Sequence, residues 1–168
     1  MFTVSLINKL LYLILLLQLF SSQKEELITV HIIPHSHMDA GWLFTEDHYY
    51  RSVGTEDCVE CVFDSLLFAL AENKERTFTI SDIFFFNKWY NKIRETERNI
   101  IKELIKNKKI NFVNGGWVMH DEATTTYKDQ IDQMRIGLEF LHDEFNVRPK
   151  VAWQIDPFGH SSANVNIY

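Results

Sequence analysis

The chain has 168 residues, 46% of them hydrophobic and 24% charged, a balance that suits one ordinary globular domain and gives no sign of disorder. Its formal net charge is −6, with acidic and basic residues mixed along the chain. No basic stripe is present to track a phosphate backbone, which argues against nucleic acid as a partner.

The N-terminus carries Lys9, an apolar run from Leu10 to Phe20, and small Ser21 and Ser22 before a polar Gln-Lys-Glu-Glu. That order predicts a secretory signal peptide over residues 1–22, because the apolar run is shorter than the roughly 20 residues of a membrane span. An uncleaved signal anchor is the alternative. The mature chain is then 23–168, in the secretory pathway and without a stable membrane span. Two cysteines, Cys58 and Cys61, are too few for a disulfide framework. They read as two residues of an amphipathic helix, with a local or intermolecular bridge as the lesser alternative.

Ile28 to His35 is β-branched and short, the pattern of a buried strand. Val59, Val62, Phe63, Leu66, Leu67 and Leu70 recur at spacings of three and four and predict one helix face. Thr77 to Ile80 is a second strand. Phe84 to Lys106 reads as two helical pieces whose buried side is Ile93, Ile100, Ile101, Leu104 and Ile105. Ile110 to Val113 is a third strand, ended by a turn at Asn114-Gly115-Gly116. A helix follows from about Tyr127 to Phe145, with Ile131, Met134, Leu138, Leu141 and Phe145 on one stripe. After Arg148-Pro149, Val151 to Ile155 is a fourth strand. Strands alternating with helices imply an α/β fold with parallel strands, a layer or a barrel, and ligands then bind at the C-terminal edge of the strands.

Three polar clusters fall at that edge: PHSHMDAGW, NGGWVMHDEATTTY and WQIDPFGHS. In the first, His35, His37 and Asp39 are spaced by two, so an extended chain would point all three the same way. Imidazole and carboxylate are plausible zinc ligands, although a strand end capped by two histidines is an equal alternative for this piece alone. Asp156 follows an apolar strand expected to be buried, and Pro157 keeps it out of the helical region. A carboxylate at a buried edge needs a cation to satisfy it, and a metal on His37 and Asp39 would serve; an Asp-Pro turn is the competing reading. His120, Asp121 and Glu122 read equally as ligand contacts or, for the two acids, as first-turn residues of the next helix.

These residues resemble the N-terminal part of class II α-mannosidases, most closely the lysosomal kind. The resemblance rests on HSHMDAGW, FVNGGWVMHDEATTTY and RPKVAWQIDPFGHS and runs from about Val30 to Ser161. It implies a zinc-dependent retaining glycoside hydrolase that removes α-linked mannose from N-glycan oligosaccharides. The implied fold is an incomplete portion of a (β/α) barrel-like glycosidase domain, and the implied destination is the lysosome, with the extracellular space as the alternative. Carried over by motif, His37, Asp39 and Asp156 hold Zn2+, Asp156 is the nucleophile, and Trp42 and Phe158 line the sugar subsite. Asp82 stands where a glutamate is usual, and Gln154 where lysosomal members often have histidine. The family's fourth zinc ligand and its general acid/base come from beyond the region covered, so neither is assigned in this chain, which reads as a fragment with little activity alone. A secreted, non-catalytic mannose-binding fragment and a metal-dependent amide or ester hydrolase are the competing functions.

Overall fold

The computed structural model describes residues 12–13, 28–52 and 58–168. The expected signal peptide therefore lies outside the described residues, apart from Tyr12 and Leu13, which are helical and exposed. The chain divides into two units, Met1–Ile32 and Ile33–Tyr168. In the first, residues 28–32 have no regular secondary structure, and Ile28, Val30 and Ile32 are exposed. Among the described residues no helix is long and apolar enough to cross a membrane.

The second unit alternates helices and strands. Two helices, α1 (Glu46–Arg51) and α2 (Val59–Glu72), lead into β1 (Phe78–Ile80). Next come α3 (Phe84–Tyr90), α4 (Glu95–Lys106), β2 (Ile110–Phe112), α5 (Tyr127–Phe145) and a 3-10 turn at Asn164–Asn166. β1 and β2 pair in parallel, Phe78 opposite Ile110 and Ile80 opposite Phe112, and α3 with α4 form the crossover that parallel pairing requires. The architecture is α/β, with a two-stranded parallel sheet.

Aromatic side chains fill the core. Phe63, Phe86, Trp89, Tyr90 and Phe112 are buried, and Phe140 and Phe145 of α5 pack on them. The polar tips of Trp89 and Tyr90 are satisfied: Trp89 Nε1 donates to Asp64 Oδ1 at 2.8 Å and Tyr90 OH to Glu144 Oε1 at 2.7 Å, as buried Trp and Tyr favour. Cys58 and Cys61 form a disulfide at the start of α2, so the local bridge prevails over the helix-residue reading. Cys58 is the N-cap residue, outside the helix proper.

Two expected strands are absent from the structure. The segment from Ile28 to His35 joins the sheet only through one parallel bridge, His35 to Thr79, and through the Thr79 N–H donated to the Pro34 carbonyl. Pro34 has no N–H to donate, so the ladder does not extend upstream of it. Val151 to Ile155 joins no ladder and bends at Ile155, and Val151 is exposed. Its would-be partner, β2, ends at Phe112. Asn114 then turns left-handed (φ 58°) and Gly115 follows at φ 87°, so the chain leaves the sheet before a ladder can form. Asn114 makes the link instead: its N–H donates to the Val151 carbonyl at 2.8 Å, and its side chain bonds Trp153.

The helices match the apolar periodicity with small rotations. Val62 and Ile100, expected on buried stripes, are exposed because each lies at the flank of its stripe. On α5 the buried line is Gln130, Met134, Gly137 and Leu141, while Ile131 is exposed. Gly137 explains the rotation: a Cβ there would lie 2.2 Å from the Gly115 carbonyl oxygen. The helix rests directly on the Gly115-Gly116 backbone, which a larger residue would prevent. Thr126 caps α5 by accepting the Asp129 N–H at 3.2 Å, and left-handed Asn146 ends it.

Candidate functional site

The sheet delivers three loops to one edge, where a cleft of about 660 Å³ opens. Residues 37–42 follow the segment bridged to β1, Asp82 follows β1 itself, and 118–122 follow β2. The run 154–159, tethered through Asn114, closes the fourth side.

His37 sits at the centre. Its Nε2 lies 3.2 Å from Asp39 Oδ1 and 3.6 Å from Asp156 Oδ2. The three sequence-predicted ligands are thus brought together, although Asp156 is 49% exposed, not at a buried edge as expected. The unladdered run before it accounts for this, since no neighbouring strand covers it. His35 does not join them. Its ring stands edge-on against Trp153, centroids 4.7 Å apart, and its Nδ1 contacts the Ser36 carbonyl at 3.3 Å, because the chain leaves the strand path at His35 and the alternation stops.

Trp42 and Phe158 line the cleft and are 73% and 80% exposed. A turn lifts Trp42 outward: Gly41 has φ 87°, its N–H donates to the Asp39 carbonyl at 2.9 Å, and the Trp42 N–H donates to the Phe44 carbonyl at 3.2 Å. A left-handed φ of this size favours glycine.

Asp82 faces the same cleft from a buried position. Ser81 Oγ reaches its Oδ2 at 3.5 Å, and Oδ1 has no partner. Burial is the main cause that pushes its carboxyl up to about 7; the Ser81 hydroxyl opposes this, Asp39 adds to it, and His37 opposes it.

In the 118–122 loop, His120 is buried with both ring nitrogens engaged. Gln133 Nε2 donates to its Nδ1 at 2.8 Å, and its Nε2 bonds Asn164 Oδ1 at 2.7 Å. Neither nitrogen is left for a ligand. Asp121 and Glu122 are not first-turn acids of α5, whose first-turn acid is Asp129. Asp121 closes its own turn on the Ala123 N–H and the Thr124 hydroxyl, both at 2.8 Å, and these bonds lower its pKa. Glu122 reaches across to His160 and Ser161.

The pairing of Glu122 with Ser161, the latch at Asn114 and the inward face of Asp82 escaped the sequence reading. Only Asp82 carried a usable signal, a carboxylate directly after a buried strand. The other two contacts join residues 39 apart in the chain and leave no spacing signature.

Imidazole nitrogen and carboxylate oxygen are donors that zinc accepts, so His37, Asp39 and Asp156 fit that ion by chemistry. Among the described residues no group of three His, Cys, Asp or Glu is already arranged as a metal site. His37 Nε2 is instead shared with the Asp39 carboxylate.

Residues 27–168 match the model of the glycosyl hydrolases family 38 N-terminal domain. Among curated proteins, the chain is 45% identical over 142 residues to an alpha-mannosidase of Canavalia ensiformis, covering 82% of this chain and 14% of that protein. It is 41% identical over 150 residues to the lysosomal alpha-mannosidase of Bos taurus, covering 86% and 15%. With the lysosomal alpha-mannosidase of Homo sapiens the identity is 39% over 147 residues, covering 84% and 14%. The chain therefore spans about one seventh of the length of the curated relatives it matches.

Proposed function

The chain belongs to glycosyl hydrolase family 38, and from that premise we propose that its cleft serves retaining hydrolysis of α-linked mannose in oligosaccharides, with Asp156 as the nucleophile. The observation that supports this most is the meeting of His37, Asp39 and Asp156 at one point of the cleft, within 3.6 Å of a single ring nitrogen.

Asp156 is half exposed on the cleft side, so a sugar can approach its carboxylate without the protein opening. The Asp156 oxygen attacks the anomeric carbon, the glycosidic C–O bond breaks, and a covalent glycosyl-enzyme ester forms that water then hydrolyses. A second carboxyl group must protonate the departing oxygen and later activate the water. Trp42 and Phe158 offer exposed ring faces across the cleft, suited to the apolar face of a hexose. His37, Asp39 and Asp156 would hold Zn2+, whose Lewis acidity would grip ring hydroxyls and favour distortion of the sugar.

On the same reading the two parallel strands are part of a larger (β/α) barrel-like glycosidase domain, since all four cleft-forming segments lie at one strand edge. The lysosomal relatives support a lysosomal or secretory location. The test is to assay the 168-residue chain on an aryl α-mannoside with and without added zinc, beside Asp156→Asn. Zinc-dependent turnover abolished by the substitution supports the assignment. Mannoside binding that neither added zinc nor Asp156→Asn changes favours the non-catalytic mannose-binding alternative.

A further inference from the structure

We propose that Glu122 is a positioning residue, whose carboxylate clamps the far end of the loop that carries Asp156. The inference rests on the reading of Asp156 as a site residue and adds to it a part played by a different element.

The run after Val151 has no ladder, so its place depends on individual tethers. Upstream of Asp156 they are the Asn114 bonds to Val151 and Trp153, the edge contact of Trp153 with His35, the bond from Gln154 Nε2 to the Tyr168 hydroxyl and a contact from the Ile155 N–H to Met119 Sδ at 3.3 Å. Thioether sulfur is a weak acceptor. Downstream, Glu122 Oε2 accepts the Ser161 N–H at 2.6 Å, and Oε1 pairs with His160 Nδ1 at 3.1 Å. Both carboxylate oxygens are used and the side chain is only 7% exposed. A charged acceptor forms a shorter and stronger hydrogen bond than a neutral one.

Between the two sets of tethers stand Asp156, Pro157, Phe158 and Gly159, all exposed. Gly159 has φ 142° and nothing within 4 Å of where a Cβ would be, so no packing holds the loop at that position. Together with the Asp156–His37 contact at 3.6 Å and the bond of buried Asn164 to His120 further along, the clamp at its far end therefore limits where Asp156 and Phe158 can sit. Since both Glu122 oxygens are committed to the loop, Glu122 acts through Asp156 and not on substrate.

The test uses the 168-residue chain, Glu122→Gln, and amide hydrogen exchange with Zn2+ calorimetry. Gln keeps one acceptor oxygen but loses the charge. We expect the Ser161 amide, whose N–H bonds Glu122, to exchange at least about tenfold faster while α5 amides stay protected, and Zn2+ affinity to fall roughly tenfold, within the range for partners that orient metal ligands. The loss of affinity should vanish when the same change is made in Asp156→Asn, because the effect runs through Asp156. Glu122→Asp, one methylene shorter, serves in its place if Glu122→Gln does not fold. Unchanged exchange at Ser161 overturns the proposal, and so does an equal loss of affinity in both backgrounds. If the unsubstituted chain binds no Zn2+, the zinc reading fails, and the exchange pattern alone decides the clamp.

Discussion

Asn114 and Trp153 bond each other in both directions, Asn114 Nδ2 donating to the Trp153 carbonyl at 2.6 Å and Asn114 Oδ1 accepting the Trp153 N–H at 2.5 Å. One side chain thus imitates the ladder that β2 fails to provide, and it does so from a left-handed backbone (φ 58°) that asparagine tolerates better than most residues. Asn114→Ala would lose both bonds and place a Cβ-bearing residue without a compensating side chain at positive φ. About 3–4 kcal/mol of stability should be lost, from roughly 1 kcal/mol for each of the two hydrogen bonds and 1–2 kcal/mol of backbone cost. Asn114→Asp, which keeps an acceptor for the Trp153 N–H, should lose less. Urea denaturation of the three proteins checks the order, and equal losses for Ala and Asp would refute it.

Gly137→Ala tests the contact between α5 and the double-glycine turn. Alanine favours a helix over glycine by about 1 kcal/mol, so on an open helix face the change would stabilise. Here the new Cβ meets backbone: Gly115 O at 2.2 Å, Gly116 C at 2.6 Å and Trp117 N at 2.6 Å. None of these can rotate away, and overpacking of this kind costs about 1–3 kcal/mol or more. The expected result is a net fall in melting temperature, with increased exchange in residues 115–122. A rise in melting temperature would show that the helix does not rest on the turn.

Helices α2 to α5 were legible because their signal is periodic and local, whereas the six-residue α1 is too short to carry one and was not expected. Thr126 and Asn146 bound α5 where the apolar pattern starts and stops, and the break between α3 and α4 falls inside a stretch that already read as two pieces. The two missing strands were not legible, since β-branched composition says nothing about whether a partner is present. Pro34 and the turn at Asn114-Gly115 are in the sequence, but their effect depends on which neighbour each segment meets. At the site, His37 and Asp39 followed from local spacing. Their meeting with Asp156 followed from the expected strand edge, although the run before Asp156 is not a strand. Glu122 was visible as an acid after a glycine turn. Which groups it would bond could not be read, because His160 and Ser161 reach it only through the tertiary fold.

Two buried carboxylates should give opposite slopes of stability against pH. Asp82 has its folded-state pKa raised from the usual 3.8 to about 7, chiefly by burial. Its contribution is therefore fully present below about pH 4 and is lost as pH rises towards 7, where ionisation without a partner on Oδ1 is costly. Burial also acts to raise Glu122, but the Ser161 N–H and His160 outweigh it and leave the pKa lowered. The stability from Glu122 is present above its unfolded value, 4.5, and is lost as pH falls through the folded value. In EDTA, Asp82→Asn should raise the melting temperature at pH 8 and leave it unchanged or lower at pH 4. A gain of the same size at both values would show that Asp82 does not titrate in the folded protein.

Trp42 and Phe158 separate function from stability most cleanly. A side chain that is 73% or 80% exposed leaves little apolar area to be lost on truncation, and substitutions at such surface positions usually stay within about 0.5 kcal/mol. Trp42→Ala and Phe158→Ala should therefore melt within a degree or two of the unsubstituted chain. If the cleft takes a hexose between them, each change removes a ring face from the ligand and should weaken mannoside binding by roughly tenfold, comparable to loss of an aromatic contact worth about 1 kcal/mol or more. Titration with an aryl α-mannoside, followed by tryptophan fluorescence for Phe158→Ala and by calorimetry for both, measures this directly. Intact affinity in both variants would remove the two rings from the sugar site, and a large fall in melting temperature would mean that they are packed more deeply than the structure places them.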